Sequence, residues 1–106
     1  MSFNIDTKTT HILSVTDADT GYESEFTLSE NDTYPFIDSL KYVIEDDADE
    51  TGVTGTSRFT ADNGENFTIY RIEHDNVNVV RIEANTAEAS INPDEAHQIL
   101  EILPQL

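Results

Sequence analysis

The residues of this chain best suited to chemistry are carboxylates, and they are densest at residues 45–50. Five of those six positions are acidic, with no Lys or Arg among them: Glu45, Asp46, Asp47, Asp49 and Glu50. Carboxylates at this density could hold a divalent cation, occupy a basic site on another protein, or form a solvated surface. The surrounding sequence has to distinguish these three interpretations.

A calcium-binding loop is the first interpretation to test. Such a loop needs oxygen ligands at positions 1, 3 and 5, Gly at position 6 and Glu at position 12. A loop that begins at Asp47 reaches Arg58 at position 12, where a guanidinium would repel the ion. A loop that begins at Asp17 places Leu28 at position 12. Both alignments fail, so no calcium hand is predicted.

Other catalytic and metal-binding patterns are missing from the sequence. The chain has no Cys, which removes disulfides, thiolate metal sites and Cys nucleophiles together. His11, His74 and His97 lack the spacing of a zinc site, and there is no Gly-x-Ser-x-Gly turn or glycine-rich phosphate loop. Acid–base pairs carry little information, because 22 acids produce pairs by number alone. We therefore expect a non-enzymatic protein with no cofactor and no metal site.

Two arginines of a predicted hairpin offer a further possibility. A three-residue connection near residue 75 would place Arg71 opposite Arg81 on the exposed face, with Glu73 and Glu83 close to them. The buried face would then hold Tyr70, Ile72, Val80 and Ile82. The pattern favours surface salt bridges, each worth about 0–1 kcal/mol. The alternative is a clamp for a small anion or a carboxylate.

The overall charge restricts the class of partner. Among 106 residues, 22 acids face only five Lys and Arg, for a net charge of −17. This field repels nucleic acid phosphates and anionic membranes, and it attracts cations and basic proteins. It equally suits a salt-rich environment, in which acids maintain solubility. The start of the chain shows no signal peptide and no run is long enough for a membrane helix, so we expect a cytoplasmic protein.

Strand signals dominate the rest of the chain. Residues 22–28 alternate, with Glu23, Glu25 and Thr27 on one face and Tyr22, Ser24, Phe26 and Leu28 on the other. Together with residues 11–15 they predict a first hairpin. A meander of three or four strands is predicted after the glycine-containing loop at residues 50–57, within residues 57–61, 66–74, 77–84 and 87–91.

Two helices are predicted, one after each group of strands. The first has its apolar residues at helical spacing between Phe36 and Ile44 and begins near Thr33, which keeps Pro35 in the first turn. Its negative end then precedes the acidic residues 45–50, where their charge is unfavourable. The second helix begins at Pro93, with Asn92 as the N-cap.

These elements predict one acidic α+β domain over residues 1–106, with an antiparallel sheet of five to six strands and two helices in the order ββα-βββ(β)-α. A weak internal repeat aligns residues 25–40 with residues 88–103 without a gap. The repeat suggests that each helix packs on the sheet that precedes it.

The favoured function is a non-enzymatic acidic protein that binds a basic surface on a partner protein. An inhibitor, an immunity-type protein or a DNA mimic would fit. A nucleic-acid-binding protein is one such partner, and no direct contact with nucleic acid or membrane is expected. The first alternative is a halophilic domain, acidic for solubility, which is a monomer or a homodimer formed through its sheet. The second is a ligand-binding, metal-binding or catalytic domain with an unrecognised acidic pocket. The predicted partner-binding residues are Asp17, Asp19, Glu23, Glu25, Glu45, Asp46, Asp47, Asp49 and Glu50.

Overall fold

The computed structural model describes residues 3–7, 11–17 and 20–105. The described residues form seven strands and two α-helices in the order βββα-ββββ-α, which is an α+β fold. The strands are β1 (Phe3–Thr7), β2 (His11–Thr16), β3 (Glu23–Leu28), β4 (Ser57–Thr60), β5 (Asn66–His74), β6 (Val77–Glu83) and β7 (Glu88–Ile91). The helices are α1 (Thr33–Glu45) and α2 (Pro93–Ile102).

The strands form two antiparallel meanders and not the single sheet that we predicted. The N-terminal sheet has the order β1-β2-β3, and the C-terminal sheet has the order β4-β5-β6-β7. The predicted α+β class and the approximate element order are confirmed. The first strand, β1, was not predicted, because Phe3 and Ile5 are the only apolar residues in its five positions.

Both helices begin at the residues that the sequence predicted. Helix α1 begins at Thr33, so Pro35 lies in the first turn, where its missing N–H costs no hydrogen bond. In α2, the side chain of Asn92 accepts a hydrogen bond from the backbone N–H of Glu95, and Pro93 is the first helical residue. Pro104 follows shortly after α2, which ends at Ile102.

One apolar core joins the two sheets and both helices. Phe26 of the N-terminal sheet and Phe36 of α1 both contact Phe67 of β5, and Phe67 stacks on Phe59 with ring centroids 4.9 Å apart. Contrary to the expectation from the repeat, α1 packs mainly on β4 and β5 and not on the N-terminal sheet that precedes it. The face of the C-terminal sheet that contacts the helices is called the inner face below, and the opposite one the outer face.

The N-terminal sheet lies across one end of the C-terminal sheet. The side chain of Ser24 donates to the backbone carbonyl of Glu88 in β7, and the side chain of Ser29 donates to Asp62 in the β4–β5 turn. Ser24 lies in β3, and Ser29 directly follows it. β3 therefore crosses the end of the C-terminal sheet that holds the β4–β5 turn and the start of β7. The β5–β6 turn lies at the opposite end of that sheet.

Candidate functional site

The acidic residues 45–50 lie between the end of α1 and a loop that a buried arginine holds in place. Arg71 projects from β5 to the inner face, and only 8% of the residue is exposed. Its Nε donates to the carbonyl of Val43 at 2.9 Å, and its Nη2 donates to the carbonyl of Asp46 at 2.6 Å. A cation at this position satisfies carbonyls that a helix C-terminus leaves without intrahelical partners, and it offsets the negative end of the helix dipole.

The second terminal nitrogen of Arg71 has partners as well. Its Nη1 contacts the carboxylate of Glu73 and, at 3.2 Å, the side-chain oxygen of Asn78. The guanidinium therefore bridges the end of α1 and two neighbouring strands. This contact explains how acids can follow a helix C-terminus, a position where sequence alone finds them unfavourable.

The loop after α1 is stitched to β5 through its backbone. The backbone N–H of Thr54 donates to the carbonyl of Arg71, and the Thr54 hydroxyl accepts from the N–H of Arg71. Val53 forms an isolated antiparallel bridge with Ile72. These contacts extend the edge of the C-terminal sheet beyond β4, so the loop continues the sheet.

Two glycines allow the loop to approach its neighbours closely. Gly52 has φ +80°, and a Cβ there would lie 2.7 Å from the carbonyl oxygen of Glu73. A Cβ on Gly55 would overlap the hydroxyl of Tyr42 on α1. Only glycine fits at either place without a shift of the backbone or of the tyrosine.

Two of the five acids in residues 45–50 are used inside the loop. The carboxylate of Asp46 accepts from the N–H of Gly55 at 2.8 Å. The carboxylate of Asp49 accepts from the N–H and the hydroxyl of Thr51, and these hydrogen bonds lower the pKa of Asp49 because they favour its charged form.

The other three acids, Glu45, Asp47 and Glu50, are exposed, as is Asp49. Asp75 is exposed in the adjacent β5–β6 turn, and the loop contacts that turn where Gly52 meets His74. We call Glu45, Asp47, Glu50 and Asp75 the acidic loop surface. It presents four carboxylates on a backbone fixed by Arg71 and β5.

Asp17 was predicted to contact a partner, but the structure places its side chain inside the molecule. Asp17 is 6% exposed, and its Oδ2 accepts from the N–H of Ser90 at 2.9 Å and lies 3.5 Å from the guanidinium of Arg81. Its Oδ1 accepts from the N–H of Thr20. The carboxylate thereby satisfies a backbone donor on the free edge of β7, and a buried side chain of this kind has no surface to offer a partner.

The remaining predicted acids lie elsewhere on the molecule. Glu23 and Glu25 are exposed on the outward face of β3, and Asp19 lies outside the described residues. β3 contacts the sheet at Glu88, which lies level with Thr68 of β5, whereas the loop after α1 contacts β5 at Ile72. The two contacts are therefore four residues apart along the strands, or roughly 13 Å at the usual strand rise. The predicted set therefore divides into two groups at opposite ends of the sheet and does not form one continuous patch.

The predicted pairing of β5 with β6 is shifted by one residue from the observed pairing. His74 pairs with Val77, so the connection has two residues, with Asp75 in the left-handed region at φ 54°. Arg71 consequently pairs with Val80 on the inner face, and Arg81 pairs with Tyr70 on the outer face. The two arginines point to opposite sides, which removes the anion clamp between them. Each arginine forms an ion pair with the glutamate two residues further along the chain, Arg71 with Glu73 and Arg81 with Glu83, but on opposite faces and not in the single surface cluster that was predicted.

Arg81 is the centre of a second polar network. Its guanidinium contacts Glu83 at 3.3 Å, Glu88 at 2.9 Å and the hydroxyl of Ser90 at 3.1 Å. Burial alone would lower the pKa of Arg81, but Glu83 and Glu88 outweigh it and raise that pKa. Burial, together with the hydrogen bond to Glu83, raises the pKa of Tyr70. Every member of this network is already paired, so it fixes the sheet surface.

A groove of about 480 Å³ lies beside Arg81, at the edge of β7. Its lining includes Tyr22, Thr86 and Glu88. The guanidinium of Arg81 also lines the groove, where it is already paired with the carboxylate of Glu88. Among the described residues, no group of three or more His, Asp or Glu could hold a metal ion. In the same part of the chain, no helix combines the length and the apolar character needed to cross a membrane.

Sequence reasoning missed the two residues that organise these regions. Arg71 was assigned to the surface because the hairpin connection was taken as one residue too long, and Asp17 was counted among exposed acids. The strong turn residues Asp75 and Asn76 were the available signal for a two-residue connection. No protein-family model, curated protein or solved structure matches this chain.

Proposed function

We propose that this chain is a non-enzymatic binding protein whose acidic loop surface engages a basic surface on a partner protein. The observation that carries the proposal is the combination of exposed carboxylates with a loop held in one conformation. Glu45, Asp47 and Glu50 are exposed, while Arg71 and the pairing of Thr54 with β5 fix the backbone that carries them.

Preorganisation gives this arrangement its value for binding. A flexible acidic segment would lose conformational entropy when it met a partner, whereas a loop that is already ordered loses little. Long loops on a rigid scaffold are also the usual location of binding residues. A net charge of −17 further accelerates the approach of a basic partner.

The experiment is affinity capture from the native host with three variants of known charge. The loop variant is Glu45→Gln/Asp47→Asn/Glu50→Gln. The control variant, Glu30→Gln/Asp38→Asn/Asp94→Asn, removes three exposed acids elsewhere, so both have a net charge of −14 (−17 plus 3). The third variant, Glu23→Gln/Glu25→Gln, tests the other end of the sheet.

We expect the wild type, the control variant and the β3 variant to retain one basic protein at about 0.15 M salt, and to release it at about 1 M. The loop variant should lose it. Equal retention by the loop and control variants would contradict the proposal, and so would loss on the β3 variant alone.

A halophilic role is the second candidate, and the distribution of the acids favours it. Exposed acids also occur on α1 at Asp38, on α2 at Asp94, and in the β4–β5 turn at Asp62. Acids maintained for solubility would be spread over many elements in this way. Thermal unfolding from about 0.1 to 2 M KCl distinguishes the two roles, since a chain adapted to salt requires the high concentration to fold. Full stability at 0.1 M would count against this second role.

A further inference from the structure

In the part of the chain that the structure describes, no helix lies over the outer face of the C-terminal sheet. Both helices pack on the inner face, and strand alternation sends Tyr70, Ile72, Val79 and Arg81 to the opposite side. Val77 lies on that side as well and is 52% exposed. Three β-branched apolar side chains are thus grouped on the open face of a strongly charged protein.

We propose that this outer face is a self-association surface, on which a second copy of the chain packs about a two-fold axis parallel to the strands, between β5 and β6. This proposal does not depend on the carboxylates of Glu45, Asp47 and Glu50, which follow α1 and are not part of the outer face.

Strand register makes the face complementary to itself. A two-fold axis between β5 and β6 places each residue of β5 opposite the β6 residue that pairs with it, but in the other copy. Ile72 pairs with Val79, so each Ile72 would meet the second copy's Val79. Tyr70 pairs with Arg81, so each aromatic ring would meet a guanidinium, which is a favourable cation–π arrangement.

The charges at the two edges of the face are complementary as well. Arg58 of β4, Thr68 of β5, Glu83 of β6 and Glu88 of β7 lie in one row across the sheet. Both Arg58 and Glu88 are exposed. The same axis places Arg58 of each copy opposite Glu88 of the other, forming two identical ion pairs at the rim.

This face is poorly suited to a basic partner, because it holds two of the three arginines in the chain, Arg58 and Arg81. Its size predicts a weak dimer. β5 and β6 contribute four rows of outward side chains and the shorter β4 and β7 two rows each, which together cover roughly 400 Å² in projection, well below the ~800 Å² per partner of a standard interface. We therefore expect an association that depends on protein concentration, as small interfaces are typically weak or transient.

Salt provides the first test. Two copies, each with a charge of −17, repel one another, so screening should strengthen the dimer. Sedimentation equilibrium should show a mass that rises with concentration, and the dissociation constant should fall several-fold between about 0.1 and 1 M KCl. Binding to a basic partner through the loop would weaken over the same range, so the failure of either proposal is distinguishable from the failure of the other. A monomer at every concentration and salt level would overturn the self-association proposal.

Charge exchange provides the second test, because it reports on the pairing itself. Arg58→Glu alone and Glu88→Lys alone each place two like charges opposite one another, so each variant should associate at least about fivefold more weakly than the wild type. A mixture of the two variants restores both ion pairs and should form a mixed dimer. No association in the mixture would overturn the proposal.

A substitution in the apolar strip provides the third test. Val79→Glu should abolish the dimer, whereas Ile102→Glu, at an exposed position of α2, should leave it intact. Thermal unfolding confirms that each variant folds. A dimer that survives Val79→Glu would form elsewhere and would contradict the proposal.

Discussion

At residues 45–50 the chain keeps four carboxylates at its surface, whereas at Asp17 it turns a carboxylate inward against the edge of β7. Both are acidic turn regions after a regular element, and sequence analysis treated them alike. They differ in what lies within reach. Asp17 meets the backbone N–H of Ser90 and the guanidinium of Arg81. Beside residues 45–50, the buried Arg71 donates to helix carbonyls, to Glu73 and to Asn78, and not to the exposed carboxylates of residues 45–50.

This difference shows how the protein sorts its acids. A carboxylate turns inward where an unpaired backbone donor or a cation needs it, and it stays outside where carbonyls have already taken the cation. Acids of the second kind are free to serve solubility or binding. The contrast rests on Arg71 at one region and on Asp17 at the other, so substitutions at these two positions test it first.

The largest expected effect is at Arg71. Arg71→Ala should destabilise the protein by about 3 kcal/mol, because it leaves buried carbonyls at the end of α1 without a donor and removes a buried side chain. Arg71→Lys should recover only part of this loss, since an ammonium cannot reproduce the forked contacts to Val43 and Asp46. Denaturant unfolding measures both. Arg58→Ala, at an exposed arginine of β4, is the control and should cost less than about 0.5 kcal/mol. Equal losses at the two arginines would show that Arg71 does not organise the loop.

A smaller effect is expected at Asp17. Asp17→Ala leaves the N–H of Ser90 and the guanidinium of Arg81 short of an acceptor, and should cost about 2 kcal/mol in the free energy of unfolding. Glu23→Ala, an exposed acid on β3, is the control and should be nearly neutral. If Asp17→Ala is also neutral, the carboxylate does not seal the edge of β7, and the contrast between the two regions fails.

The smallest effect concerns Asp49. Its hydrogen bonds with Thr51 lower its pKa below the ordinary value of 3.8, so the folded state favours the carboxylate form. The resulting stabilisation is fully present above pH 3.8 and is lost as the pH falls through the lower folded-state pKa. An NMR titration of the side-chain carboxyl should give a midpoint below 3.8 in the wild type and a higher midpoint in Thr51→Ala. A wild-type midpoint at or above 3.8 would mean that the loop does not hold this turn.

Local patterns predicted most of the fold. Local strand and turn signals identified six of the seven described strands, and the start of each helix followed from Pro35 and from Asn92 with Pro93. Such signals act within a few residues, so sequence alone can reveal them. The division into two sheets could not be predicted in this way, because it depends on long-range contacts such as that of Ser24 with Glu88.

The candidate site was predicted less completely. The exposure of Glu45, Asp47 and Glu50 agrees with a surface role for the acidic residues. The roles of Asp17 and Arg71 were missed, since each depends on a partner far away in sequence or on the length of one turn. Because the connection has two residues and not three, Arg71 lies on the inner face and not on the outer face. There its guanidinium holds the loop.

The most direct test of the central claim is a hydrogen-exchange footprint of this chain, free and bound to the basic protein that it captures from its host. We predict slower amide exchange in the complex at residues 45–55 and 73–77, with β3 unchanged. Protection confined to β3 or to α2, or the absence of any captured basic protein at about 0.15 M salt, would contradict the claim that the acidic loop surface is a binding site.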